Sequence, residues 1–210
     1  RGGDDHSFAG LGSDRQRWIT YRDADTYGGI VRLGPLFPLN SLMLHGIIFA
    51  RKAQGLDHAA DGDFEDEVRS YFASGTGLQE LYVSPDLLSA KNWDDLAAAA
   101  KWARTHAAVL RDSHWIGGDP ARGEVYGWAA WAPGQATLAL RNPGVQRRLF
   151  ALDIGAALEL PDTEAREWRA APVYVTEAAQ RWRAGETAVV TLQPFEVRVW
   201  ELEPVELPRR

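Results

Sequence analysis

With 210 residues, 45% of them apolar, nine tryptophans and no cysteine, the chain can build a sizeable core but not a disulfide framework, a thiolate nucleophile or a cysteine-ligated zinc site. Its net charge of −6 divides into −4 over residues 1–115 and −2 over residues 116–210; neither half has the basic stripe that neutralises phosphates, so a nucleic-acid partner is not expected. No apolar run approaches the roughly 20 residues that cross a bilayer, no signal-peptide pattern opens the sequence, and composition leaves the compartment undetermined.

The sequence opens on Arg1-Gly2-Gly3-Asp4-Asp5 without Met, as a piece of a longer or processed chain would. Trp18-Ile19-Thr20-Tyr21 reads as a β-prone run that ends in Arg22-Asp23-Ala24-Asp25, and a strand stopping there would present charged groups at the mouth of a sheet or barrel. A short apolar run follows at Ser41 to Gly46, ending in His45; Phe37, preceding Pro38, is pushed toward extended backbone. The acid-rich stretch Asp57 to Glu67 lacks the ligand spacing of a calcium loop, and no metal site is expected. Within it, Phe64, Val68, Tyr71 and Phe72 recur at helical spacing, with acids in the first turn where the helix dipole favours them.

Gly75 to Gly77, Leu78 to Val83 and Ser84-Pro85 read as turn, strand and stop. A helix follows, with Asn92 as N-cap and a stripe of Leu96, Ala100, Ala103, Ala107 and Leu110. Strands separated by helices argue for parallel pairing. Beyond about residue 116 the pattern changes. Val125 to Trp131 and Thr137 to Asn142 flank Pro133-Gly134 as a hairpin. Further strands are predicted at Arg148 to Ile154, Pro172 to Val175, Thr187 to Leu192 and Phe195 to Leu202, an antiparallel sandwich whose boundary falls at Ile116 to Pro120.

Arg22-Asp23-Ala24-Asp25 resembles the Arg-x-Ser-Asp segment of clan D glycoside hydrolases, especially the family 36 α-galactosidases, where it closes the sixth strand of a TIM barrel and supplies the acid/base aspartate. Phe37-Pro38 running into Met43 and His45 is similar to that family's seventh strand, Leu78-Gln79-Glu80-Leu81 to its eighth, and Gln193 to Val197 to the last hairpin of the antiparallel domain behind the barrel. The sequence departs from the family at Ala24, which replaces the serine, and at Asp23, an added carboxylate.

The resemblance implies an α/β plus all-β chain: residues 1–115 as the last strands and helices of a (β/α)8 barrel, and residues 116–210 as a C-terminal antiparallel β-sandwich. It implies a retaining hydrolase of α-galactose-type glycosides, secreted or periplasmic, with a carbohydrate substrate and no cofactor. Asp25 would be the acid/base, and Arg22, Asp23, His45 and Trp18 would line the sugar subsite. The resemblance implies a nucleophilic aspartate on an earlier strand, and since a complete barrel takes roughly 250 residues, residues 1–115 would supply only about its last three strands.

For proton donation Asp25 needs a raised pKa, which Asp23 favours and Arg22 opposes. The same residues also read as a surface ion pair, His45 as a packed histidine, and Glu80 as facing either a barrel interior or solvent. Most tryptophans read as core, with Trp18 and Trp115 the sugar-stacking candidates. Two other functions are compatible with the sequence: a non-catalytic carbohydrate-binding or barrel-supporting module, and an assembly partner whose open strand edges self-associate or receive the missing barrel portion.

Overall fold

The computed structural model describes residues 8–60, 62–164 and 166–205; the opening pentapeptide lies outside them. The first element corrects the sequence expectation. Residues Asp14–Gly29 form a 16-residue helix, α1, not a strand ending at Tyr21. Ser13 caps it, its side chain accepting from the Gln16 N–H at 3.1 Å. The buried rows of α1 are Arg15, Ile19, Arg22 and Thr26, and beside them Gln16, Thr20 and Asp23. That spacing is helical, but most of those side chains are polar.

Strand β1, Ile47–Phe49, follows, then helix α2, Asp63–Ala73, with Asp63, Glu65 and Asp66 in its first turn as predicted. Strand β2, Leu81–Val83, lies parallel to β1 with Ile47 opposite Leu81, and an isolated bridge between Met43 and Leu78 extends the pairing on the amino side. Gly46 allows the close approach, since a Cβ there would stand 2.7 Å from the Glu80 carbonyl oxygen.

Helix α3, Ala90–Thr105, begins one turn before the predicted cap. Ser89 is the N-cap, and Asn92 is the third residue of a capping box, returning its side chain to the Ser89 N–H at 3.0 Å. Replacing Ser89 with alanine should cost about 1 kcal/mol of stability, read from urea denaturation midpoints. The helix breaks at His106 and resumes as the short α4, Ala107–Leu110.

From His114 the chain builds antiparallel sheets. A six-stranded sheet contains β3 (His114–Gly117), β4 (Tyr126–Ala132), β5 (Gln135–Arg141), β7 (Glu167–Val173), β8 (Gln180–Arg183) and β10 (Val197–Pro204), in the order β3-β4-β5-β10-β7-β8. Strands β6 (Arg148–Asp153) and β9 (Thr187–Leu192) form a separate antiparallel pair, and a single turn of helix, α5 (Ile154–Ala157), follows β6. The predicted hairpin is β4–β5, closed by Gly134 at φ 83°. Gly127 in β4 packs against the Ala139 carbonyl, where no side chain fits.

Side chains alternate across the large sheet. Trp128, Ala130, Ala139, Val197 and Val199 join Phe72, Leu96 and Trp102 of the helices in one continuous core. The opposite face, with Leu138, Leu140, Trp168 and Trp200, packs on Leu152, Val190 and Leu192 of the β6–β9 pair.

Candidate functional site

Helix α1 crosses between α2 and the large sheet and is held there by a buried polar network. The Arg15 guanidinium ion-pairs with Glu67 and donates to the Ile48, Leu56 and His58 carbonyls at 2.9, 3.2 and 3.1 Å. Gln16 donates to Asp63 and Asp66, both at 3.1 Å. On the sheet side, Arg141 donates to Thr20 at 3.0 Å, to the Gln16 side chain at 2.8 Å and to the Tyr126 hydroxyl at 2.9 Å. Arg22 Nε donates to Asp23 at 2.9 Å, and the Tyr126 hydroxyl donates to the other Asp23 oxygen. Burial, reinforced by the neighbouring Asp23 carboxylate and opposed by Arg141, pushes the Tyr126 phenol above its usual pKa, so it remains a donor.

Arg22 and Asp23 therefore stand 1% exposed inside the protein, where they fasten α1 to the sheet and have no access to a ligand. Trp18, expected as a sugar platform, is also buried. Asp25 faces outward from the last turns of α1, its side chain 63% exposed, 3.6 Å from the 51%-exposed His45 imidazole. Tyr21 stacks on His45 with ring centres 5.9 Å apart, and Trp18 lies 6.0 Å from it. Tyr21, Asp25 and His45 thus form one surface cluster, with the buried Trp18 ring against His45 and with Arg22 and Asp23 in the interior.

His45 lies between the Met43 bridge and the start of β1, so Asp25 stands on a helix beside the amino-terminal half of this paired stretch and not at the end of a strand. The expected strand-end placement of Asp25 is corrected accordingly. Asp25→Ala should change stability by no more than about 0.5 kcal/mol, since the pair it breaks is exposed; thermal melts of the two proteins test this.

At the carboxyl edge, Arg51 follows β1 and ion-pairs with Asp86 after β2, and the Arg51 N–H donates to the Ser84 hydroxyl at 3.1 Å. Beside this edge a cleft of about 670 Å³ opens between the N-terminal turns of α2 and α3, with Phe49 at its floor and Asp57, His58, Glu65, Lys91 and Asp95 among its walls. The His58 imidazole bonds to Asp57 at 2.8 Å and holds that carboxyl below its usual pKa. Lys91 bridges Glu65 at 2.5 Å and Asp95 at 2.7 Å.

Sequence reading missed this cleft because its side chains come from a loop and two helix starts, with no motif among them. Further clefts of about 190, 400 and 520 Å³ open elsewhere, and none of the five expected site residues lines any of these four. Among the described residues no group of three or more His, Asp or Glu side chains could hold a metal ion, and no helix is long and apolar enough to cross a membrane.

No family model and no curated protein matches the chain. Solved structures do. A protein of Bacillus halodurans C-125 provisionally assigned as an α-N-acetylgalactosaminidase superimposes with a TM-score of 0.51 at 12% identity, covering 71% of this chain and 33% of that one. AmyP, solved in complex with maltose, superimposes with a TM-score of 0.52 at 15% identity, covering 88% of this chain and 45% of that one. At these identities the likeness is one of fold, and this chain spans between a third and a half of the matched structures.

Proposed function

We propose that this chain is the closing portion of a glycoside hydrolase: the last two β/α units of a (β/α)8 barrel followed by an antiparallel β-sandwich. The substrates of choice are α-galactose-type glycosides. The observation that carries this reading is the order β1–α2–β2–α3 with β1 and β2 parallel and in register, leading directly into the antiparallel sheets. Parallel strands are ordinarily flanked and covered on both faces, and a ribbon of two three-residue strands does not suffice alone. Here Met43, Leu78, Leu81 and Tyr82 stand exposed along that ribbon. Further parallel strands from the rest of a barrel fit this surface, with the nucleophile on one of them. The galactose-type preference is supported by the sequence resemblance and by the assigned activity of the Bacillus halodurans protein.

In this reading the acid/base is not Asp25, which stands on the exposed face of helix α1 and not at the end of a strand. The test is a panel of aryl α-glycosides offered to the protein that carries the whole barrel. Hydrolysis of the α-galactoside or the α-N-acetylgalactosaminide is expected, and Asp25→Ala should retain it at near-normal rate. No turnover across the panel overturns the proposal.

A further inference from the structure

We infer that the cleft between the N-terminal turns of α2 and α3 binds a neutral, hydroxyl-rich molecule of sugar size. Its volume of about 670 Å³ lies in the range of small-molecule sites, roughly 300–1,000 Å³. The rim at Gly62 is open: a Cβ built there meets nothing within 4 Å. Ala59 and Ala60 are the other small residues on that wall.

The lining chemistry selects the ligand class. Among the described residues each charge in the wall has a partner within the protein: Asp57 is hydrogen-bonded to His58, Asp95 pairs with Lys91, and Glu65 with both Lys91 and Arg69, the last at 2.5 Å. An anionic ligand would meet the three carboxylates of Asp57, Glu65 and Asp95. A cation would have to displace Lys91. What is left over is a mixture of donors and acceptors with free valence among the described residues. These are the second oxygens of Asp57 and Asp95, the His58 Nε2, and the Asn92 amide N–H group, whose carbonyl is already taken by Ser89 at 3.0 Å. A polyol matches that set because each hydroxyl both donates and accepts. The half-buried Leu87 supplies apolar surface for the C–H groups of a pyranose ring, with the buried Phe49 and Phe64 packed behind the wall.

All of these groups belong to this chain, so the inference stands whether or not a barrel is completed around β1 and β2. The experiment is a titration of the 210-residue chain with galactose, N-acetylgalactosamine, glucose and inorganic phosphate, followed by amide NMR shifts. Saturable shifts with a sugar, confined to the amides around His58, Glu65 and Asn92, are expected. Ala60→Trp, which fills the cleft, should weaken binding by about tenfold or more, a loss of about 1.4 kcal/mol. Asp57→Asn, an exposed change that leaves the fold alone, should weaken it severalfold with an unaltered melting temperature. Absence of saturable binding by any of the three sugars, tighter binding of phosphate than of sugar, or sugar affinity unchanged in both variants would each overturn the inference.

Discussion

Replacing Asp23 with alanine is expected to destabilise the protein by about 3–5 kcal/mol, measured by urea denaturation at neutral pH. The carboxylate sits 1% exposed between two obligate donors, Arg22 Nε at 2.9 Å and the Tyr126 hydroxyl. Removing it leaves a guanidinium in the interior with no hydrogen-bonded counter-ion, only the Glu67 carboxylate that already pairs with Arg15, and Arg22 Nη1 already lacks a hydrogen-bond partner. The cost therefore comes mainly from the charge left behind. Removing both charges together, as Arg22→Met with Asp23→Leu, should cost less than the sum of the single losses. A penalty below about 1 kcal/mol for Asp23→Ala would mean that the side chain is not buried in this network.

Asp66 supplies the second large effect, with the opposite sign. Burial pushes its carboxyl up to about 7; the Arg141 charge and the Gln16 hydrogen bond pull it down, but not enough to offset burial. In the unfolded chain it titrates near its ordinary value of 3.8. A carboxyl that is harder to ionise when folded favours the native state below about pH 4. That advantage is lost as pH rises to about 7 and is gone above it. A displacement of this size corresponds to at most about 4 kcal/mol. Asp66→Asn keeps an oxygen for Gln16 and removes the titration. Denaturation curves of the two proteins should nearly coincide at pH 4 and separate by about 2–4 kcal/mol in favour of the variant at pH 8. A pH-independent difference would rule out Asp66 as the titrating group.

The parts of the fold that were legible in the sequence are those where burial is apolar and periodic. Phe64, Val68, Tyr71 and Phe72 mark α2, and the alternation around Pro133-Gly134 marks the β4–β5 hairpin. Helix α1 was illegible because its inward rows are Arg15, Gln16, Arg22 and Asp23, which a search for apolar stripes scores as surface, while Trp18-Ile19-Thr20-Tyr21 imitates a strand. In the antiparallel region β3 and β8, the edges of the six-stranded sheet, escape the sequence reading, and the strand expected at Pro172 to Val175 shares only Pro172 and Val173 with β7. The polar sequence of β8, Gln180-Arg181-Trp182-Arg183, discourages edge-to-edge pairing and hides the period of two, and β3 is only four residues long.

The candidate site suffered from the same error. Once α1 was read as a strand, Arg22, Asp23 and Asp25 were placed together at its end, whereas a helix turns the first two inward and the third outward. Only the proximity of Asp25 and His45 came from residues that both lie on the surface.

Trp128, Ala139 and Val199 of the large sheet share their core with Phe72, Leu96 and Trp102 of the helices. The C-terminal half is therefore no detachable appendage. Cutting the chain near Ser113 would strip one face of the sheet and the inner sides of α2 and α3 at once, leaving two sticky fragments. Any foreign module grafted in its place would have to reproduce the imprint of both helices, so exchange between proteins of this fold should succeed only when the final helices travel with the sheet.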